Sequence, residues 1–281
     1  MEIRWKLNYL PLVTKSNMPL SIITLTTDFG LRDPYVAEMK AIILSIAAEA
    51  TIVDITHEIE KFNVKTAAYI LASASSYFPK GTIHVAVIDP GVGTRRRPIF
   101  VRTEQCCCIG PDNGVLALTA KNQGIKHIYE ISNPKLMMPN VSRTFHGRDI
   151  FAPAAAHLAA GVPPERFGPE ISDIVVPKFA KILRRKDTLE GQVVHIDDFG
   201  NIITNFRETE ISQITSRTSI NLRLKNTRLR LRLCKAYADV EPHEPLAIIG
   251  SHNFLEVSIS QGNAAENFKI RDGDKAILYC S

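Results

Sequence analysis

Four side chains stand where the surrounding pattern would let them do chemistry. Asp28 closes an apolar run that begins at Ile22, and Asp89 closes a second run from Thr82 to Ile88. Glycines follow both, in Asp28-Phe29-Gly30 and in Asp89-Pro90-Gly91-Val92-Gly93-Thr94. Arg96 comes seven positions after Asp89, near enough to fold back onto it, and His146 stands between Phe145 and Gly147 at the start of an alanine-rich run. A carboxylate is acceptor-only with two oxygens, so it can take both hydroxyls of a ribose diol, a task that suits Asp28. Aspartate, arginine and histidine together can polarise a water: carboxylate or imidazole accepts the proton while the guanidinium holds the geometry. Each residue also has a plainer reading, as a turn or cap carboxylate for Asp28 and Asp89 and as a surface loop histidine for His146.

The elements that must position these groups follow from periodicity. Ile83, Val85, Ala86, Val87 and Ile88 run with little polar relief, as in a strand buried on both faces of a parallel sheet, where ligands gather beyond the carboxyl ends. Ile22 to Thr27 and Thr51 to Thr56 read as strands. Asp33 before Pro34 reads as a capped helix start, with Val36, Met39, Ile43 and Ile46 at helical spacing. A second helix covers about Asn63 to Tyr77. Further strands are expected at Ile99 to Arg102, Cys106 to Ile109 and Ile125 to Ile131, a loop at 133 to 144 and a helix at Arg148 to Ala160. Alternating strand and helix predicts a Rossmann-like α/β domain over 21–177 with a mostly parallel sheet between helices. After a basic linker at 178–188, alternating apolar and polar residues predict an antiparallel β-barrel over 189–281. Residues 1–20 form an N-terminal extension, of which 1 to 17 are expected to be poorly ordered.

Composition narrows the function classes. The 281 residues are 45% hydrophobic and 22% charged, as in an ordinary soluble domain, and the net charge of +5 is mild. No run is long enough to span a bilayer or serve as a signal peptide, so a cytoplasmic protein without membrane association is expected. Cys106, Cys107 and Cys108 point to alternate faces of a strand and cannot converge on one ion, so these, Cys234 and Cys280 are read as free thiols, with no metal site. Gly91-Val92-Gly93 lacks the third glycine and the following helix of a dinucleotide loop. Arg95, Arg96 and Arg97 with Arg223, Arg228, Arg230 and Arg232 could face nucleic acid. Without interleaved aromatics they read better as the wet face of a half-buried sheet, and no nucleic-acid partner is expected.

Five segments occur in an order shared by one family: Thr26-Thr27-Asp28-Phe29-Gly30, Asp89-Pro90-Gly91-Val92-Gly93-Thr94, Pro111-Asp112-Asn113-Gly114, Phe145-His146-Gly147-Arg148-Asp149 and Asp197-Asp198-Phe199-Gly200-Asn201. From about Ile22 onward the chain resembles the S-adenosyl-L-methionine (SAM) hydrolases, or SAM hydroxide adenosyltransferases, relatives of the fluorinase and chlorinase. The resemblance implies a homotrimer with sites between subunits, no cofactor, and hydrolysis of SAM to adenosine and L-methionine. It places the catalytic set on Asp89, Arg96 and His146 and the ribose carboxylate on Asp28. It implies that Phe62 and Phe145 line the ribose beside Gly147, that Asn201 and Asn263-Ala264-Ala265 meet adenine, and that Asp197 and Ser251 hold the methionine amine. The halogenases are similar to one another in carrying tyrosine at the place of Asp89 and serine at Gly147, so this pattern speaks for water over halide; among the C-terminal matches, His252 stands where they carry an arginine. Halide-dependent adenosyl transfer, and binding of SAM or adenosine without turnover, are the competing readings.

Overall fold

The computed structural model describes residues 21–211 and 218–279; the N-terminal extension and Cys280 lie outside the described residues. The first sheet comprises β1 (Ile22–Thr27), β2 (Thr51–Thr56), β3 (Ile83–Val87), β4 (Pro98–Thr103), β5 (Cys107–Pro111) and β6 (Ile125–Glu130), in the order β2-β1-β3-β5-β4-β6. β2, β1, β3 and β5 run parallel, whereas β4 is antiparallel to both of its neighbours. The reversal has a steric cause. The link between β4 and β5 is only Glu104-Gln105-Cys106, long enough for a hairpin and too short for a parallel crossover.

Every residue of β3 is buried, and its side chains alternate between two cores. Val85 and Val87 pack with Met39 and Ile43 of α1 (Tyr35–Ile46), while Ala86 and Ile88 face Ala67 and Leu71 of α2 (Val64–Ser75). Ala120 of α3 (Ala117–Gln123) joins the second core, and Ala154 and Ala155 of α4 (Ala152–Ala159) join the first. Two boundaries differ from expectation. Pro34 itself is the N-cap of α1 with no side-chain cap bond, so Asp33 stands outside the helix. The run after His146 opens with a π-helical turn, Gly147–Phe151, before α4 begins. Asn63 does cap α2, accepting the Thr66 N–H at 3.0 Å.

The remaining elements are β7 (Leu183–Arg184), β8 (Thr188–Ile196), β9 (Ile202–Arg207), α5 (Glu208–Ile211), β10 (Ser219–Leu224), β11 (Thr227–Cys234), β12 (Pro245–Ile249), β13 (Phe254–Ile259), α6 (Ala264–Phe268) and β14 (Lys275–Tyr279). The ring β8-β14-β10-β11-β12-β13-β9 closes back on β8 and leaves β7 as a short edge. It is antiparallel except at β11–β12, a correction to the expected pattern. Residues 235–244 between those strands are long enough to carry the chain back along the barrel before it pairs. Alternation fills the interior with Val193, Ile202, Phe206, Leu222, Leu231 and Leu278. Ala68, Tyr69 and Ala72 of α2 pack on Val194, Ile203 and Phe254, joining barrel to sheet through an apolar seam.

Candidate active site

The carboxyl ends of β1 and β3 lie side by side, with Thr27 in register with Val87, so Asp28 and Asp89 emerge along one edge. Past Asp89 the backbone turns twice, through Val92 N–H to the Asp89 carbonyl and Thr94 N–H to the Gly91 carbonyl, both at 3.1 Å. Gly93 has φ +75°, and a Cβ there would run into the carbonyl oxygen of Arg143. Glycine therefore lets this turn lie directly against the segment that carries His146.

The turn sends Arg96 back over Asp89. Its Nε donates to both carboxylate oxygens at 3.0 Å, and its Nη2 bonds Oδ2 as well. The same Nη2 donates to His146 Nδ1 at 2.6 Å, and the guanidinium lies over the Phe151 ring at 5.2 Å. Arginine cannot accept, so Nδ1 is unprotonated and the neutral ring carries its proton on Nε2. Burial first, then the Arg96 charge, push the His146 pKa below its ordinary value against the opposing pull of Asp89 and Asp149. Of the three expected groups, Asp89 and His146 border the cavity, and Arg96 lies behind them with its side chain 10% exposed.

The loop that leads into His146 is tied down by Asp149, which stands in the Phe145-His146-Gly147-Arg148-Asp149 motif without an expected role. Asp149 is buried and accepts the Ser142 N–H at 2.8 Å and Arg148 Nε at 2.7 Å, and Arg148 reaches Glu38 on α1 at 2.9 Å. Burial raises the Asp149 pKa, but the hydrogen bonds from Arg148 and Ser142 outweigh it and hold the carboxyl below the usual aspartate value. The Pro111-Asp112-Asn113-Gly114 motif is scaffold as well. Asn113 Nδ2 donates to the Ile88 carbonyl at 2.8 Å, and Asp112 accepts from Arg97 Nε at 2.9 Å and Val175 N–H at 2.7 Å.

Asp28 is oriented by the Phe62 N–H, which donates to Oδ2 at 2.9 Å, while Lys61 Nζ donates to the Asp28 carbonyl. Phe62 has φ +66°, a left-handed conformation that costs a non-glycine residue about 1–3 kcal/mol. Phe29, Tyr35 and Phe145 meet edge to face with centroids 5.2 to 5.9 Å apart. Gly147 sits beneath them, where a Cβ would come within 3.1 Å of the Phe145 ring and 3.2 Å of Met39 sulfur. Asp28, Phe62, Asp89, Phe145, His146 and Gly147 all border one cavity of about 450 Å³. Asp33, Tyr35 and Lys61 border it too. The helical pattern had assigned Asp33 to capping, so its place here was hidden.

The other expected contacts lie elsewhere. Asp197, Asn201 and Ser251 line a second cleft of about 1090 Å³ between α2 and the barrel, beside Tyr69, His195 and Glu256. Asp197 accepts the Phe199 and Asn201 N–H groups at 3.0 and 2.8 Å and the Asn201 side-chain amide at 2.9 Å. Burial raises the pKa of Glu256, whose Oε2 accepts the Tyr237 hydroxyl at 3.1 Å. Asn263 caps α6, Ala264 and Ala265 pack into the barrel, and this segment holds the turn through Ala265 N–H to the Gly200 carbonyl at 3.0 Å, bordering neither cavity. Within one chain the expected site residues thus divide between these two cavities and the segment 263–265, which borders neither.

A doubly wound sheet with a carboxylate, guanidinium and imidazole at its carboxyl edge, joined to a closed barrel, defines a two-part α/β enzyme architecture. The chain belongs to the SAM hydroxide adenosyltransferase family, whose N-terminal domain matches residues 23–168 and C-terminal domain residues 191–277. It is 38% identical over 256 residues to the (R)-S-adenosyl-L-methionine hydrolase of Methanocaldococcus jannaschii, covering 88% of this chain and 91% of that one. The protein of the same name from Thermus thermophilus is 35% identical over 255 residues, with 88% and 95% covered. The fluorinase of Nocardia brasiliensis is more distant, at 27% identity over 296 residues, with 93% and 97% covered. The crystal structure of an uncharacterized conserved protein from Thermotoga maritima superposes with a TM-score of 0.83 at 38% identity, covering 91% of this chain and 99% of that one.

Proposed function

We propose that this protein hydrolyses S-adenosyl-L-methionine to adenosine and L-methionine. The observation that carries the reading is the Asp89, Arg96 and His146 cluster facing the cavity that Asp28 shares. A sulfonium departs as a neutral thioether, so cleavage at the ribose C5′ needs no general acid and no cofactor, only an oriented nucleophile in line with the C–S bond. Asp28 accepts the ribose hydroxyls, its Oδ2 already aimed by the Phe62 N–H. Arg96 occupies one side of the Asp89 carboxylate and leaves the cavity side to accept a proton from water. With His146 Nδ1 taken by Arg96, its Nε2–H donates toward the same water, so Asp89 is the proton acceptor and His146 the orienting donor. A pocket that excludes bulk solvent strengthens these interactions, and the positive sulfonium attracts the developing hydroxide.

The split between the two cavities supports a second element of the reading. Asp197, Asn201 and Ser251 would meet the adenine and methionine ends when the barrel of one copy covers the smaller cavity of another, as in a homotrimer. Exposed Leu31 and Phe62 near the small cavity and Phe199 on the barrel turn, 68%, 67% and 80% exposed, suit such a contact. Among the described residues no helix is long and apolar enough to cross a membrane, and Cys106, Cys107, Cys108 and Cys234 are free thiols. A cytoplasmic location accords with those free thiols.

The test is incubation of purified protein with SAM and chromatography for adenosine and methionine, with light scattering for the assembly. Release of both products, lost in Asp89→Ala, is the expected result. A 5′-halo-adenosine formed only with halide would replace this reading by halogenation, and calorimetric binding without product would leave a sensor.

A further inference from the structure

Behind the smaller cavity, among residues that do not line it, lies a chain of polar contacts that begins at the surface and ends at the Asp28 turn. Lys40 of α1 pairs with Asp54 Oδ2 at 2.5 Å, and Asp54 Oδ1 faces His57 Nε2 at 3.1 Å. On the other side of the ring, His57 Nδ1 meets Thr27 Oγ1 at 2.8 Å, and Thr27 Oγ1 in turn accepts the Phe29 N–H at 3.2 Å. His57 and Thr27 are 3% and 0% exposed. The residue between Thr27 and Phe29 is Asp28.

Asp54 Oδ1 and His57 Nε2 meet as an ion-pair contact without the alignment of a hydrogen bond. His57 Nδ1 and the Thr27 hydroxyl share one proton, and the Thr27 oxygen keeps a lone pair for the Phe29 N–H. The His57 carbonyl adds a second tie, accepting the Gly30 N–H at 2.8 Å. Burial pushes the Asp54 carboxyl up, but the Lys40 hydrogen bond and the nearby His57 ring outweigh it and keep it below the usual aspartate value. Two of the three residues from Asp28 to Gly30 therefore have their N–H groups held by this one buried histidine, directly or through Thr27.

We propose that Asp54, His57 and Thr27 form a relay that positions the Asp28 carboxylate for the ribose. The three are positioning residues and touch no substrate. The relay acts through the 28–30 backbone: Phe62 fixes one oxygen of Asp28, while Thr27 and His57 fix the turn from which that side chain springs. Thr27 looks like the nucleophile of a hydrolytic triad, with His57 and Asp54 behind it, but its hydroxyl is fully buried and points into the protein. The inference rests on the reading of Asp28 as the ribose carboxylate.

Thr27→Val is nearly isosteric and removes only the link. It is expected to raise KM for SAM and Kd for adenosine about tenfold each, with kcat within about threefold, the loss associated with one bond to the ligand-holding turn. Thr27→Ser restores the hydroxyl and is expected to recover both constants to within about twofold of wild type. Asp54→Asn, at the outer end, keeps the fold available should the valine variant fail to accumulate, and is expected to raise both constants about threefold. Unchanged KM and Kd in folded Thr27→Val or Asp54→Asn, whatever their melting temperatures, overturns the relay while leaving SAM hydrolysis intact. Wild-type protein that binds adenosine but releases none from SAM overturns the proposed reaction, and the Kd comparison then decides the relay by itself. Wild-type protein that binds no adenosine overturns both.

Discussion

At the two cavities bordered by expected site residues, the carboxylates are held in opposite ways. Around the smaller one, polar groups far apart in sequence hold each other: Arg96 bridges Asp89 to His146 fifty positions away, and Phe62 holds Asp28 across thirty-four. At the larger one, Asp197 spends its carboxylate on its own turn, on Phe199 and Asn201, although Tyr69 and Tyr77 reach across to His252 and Ser251 on the same cleft. A long-range network fixes a geometry before any ligand arrives, which is what a reaction at a single water demands. A locally satisfied turn on a barrel rim presents a shape that can meet a ligand held elsewhere. The difference accords with the proposed reading, in which bond breaking falls to the sheet edge and recognition of the remaining substrate to the barrel.

That division predicts different kinetic signatures on the two sides. Asp89→Ala should lower kcat by about 10³-fold with little change in adenosine affinity, since the proton acceptor is lost and the ribose contacts are not. Equal loss of binding would erase the distinction. Gly93→Ala should come next, with kcat down about 100-fold, because the added methyl drives the Asp89 turn away from Arg143 and with it the reacting geometry. Wild-type kcat would show that the close approach is incidental.

The pH profile sharpens the same contrast. His146 must be neutral to accept from Arg96, and its pKa in the folded protein lies below the ordinary 6.5. The kcat/KM should therefore stay level above that value and fall only on its acid side, by up to about tenfold per pH unit. A limb centred above 6.5 would contradict the assignment of the neutral ring. Asp197→Ala gives the smallest effect: KM for SAM up about fivefold, kcat unchanged and some loss of barrel stability. A kcat defect as deep as that of Asp89→Ala would place the barrel carboxylate in the chemistry and end the comparison.

Much of the architecture was legible because it is written in local terms. The unbroken apolar run of β3 reports burial on two faces, and the alternation in β10 reports a barrel wall. Aspartates at two adjacent strand ends were enough to place Asp28 and Asp89 on one edge. The helix boundary at Asp33 misled, because an acid before proline looks the same whether it caps a helix or borders a cavity. Lys61 gave no signal, standing in an ordinary charged stretch, and neither did the relay through His57, whose partner Thr27 lies thirty residues away on the neighbouring strand even though Asp54 is only three positions before it.

By itself the amino-acid sequence determined the periodicities, the turns that need glycine and the two-part plan, since each depends on residues within one turn or strand. Only the tertiary structure decided what the three consecutive arginines bond: Arg96 folds onto Asp89, as its spacing suggested, and also onto His146, Arg97 onto Asp112 and Asp173, and Arg95 does neither. It also decided that β11 and β12 run parallel and that the expected substrate contacts divide between two cavities and a helix start that borders neither. The physical reason is one of range. Backbone preference is set by neighbours in the chain, whereas the pairing of charged side chains is set by how strands cross and a barrel closes, and those are properties of the whole fold.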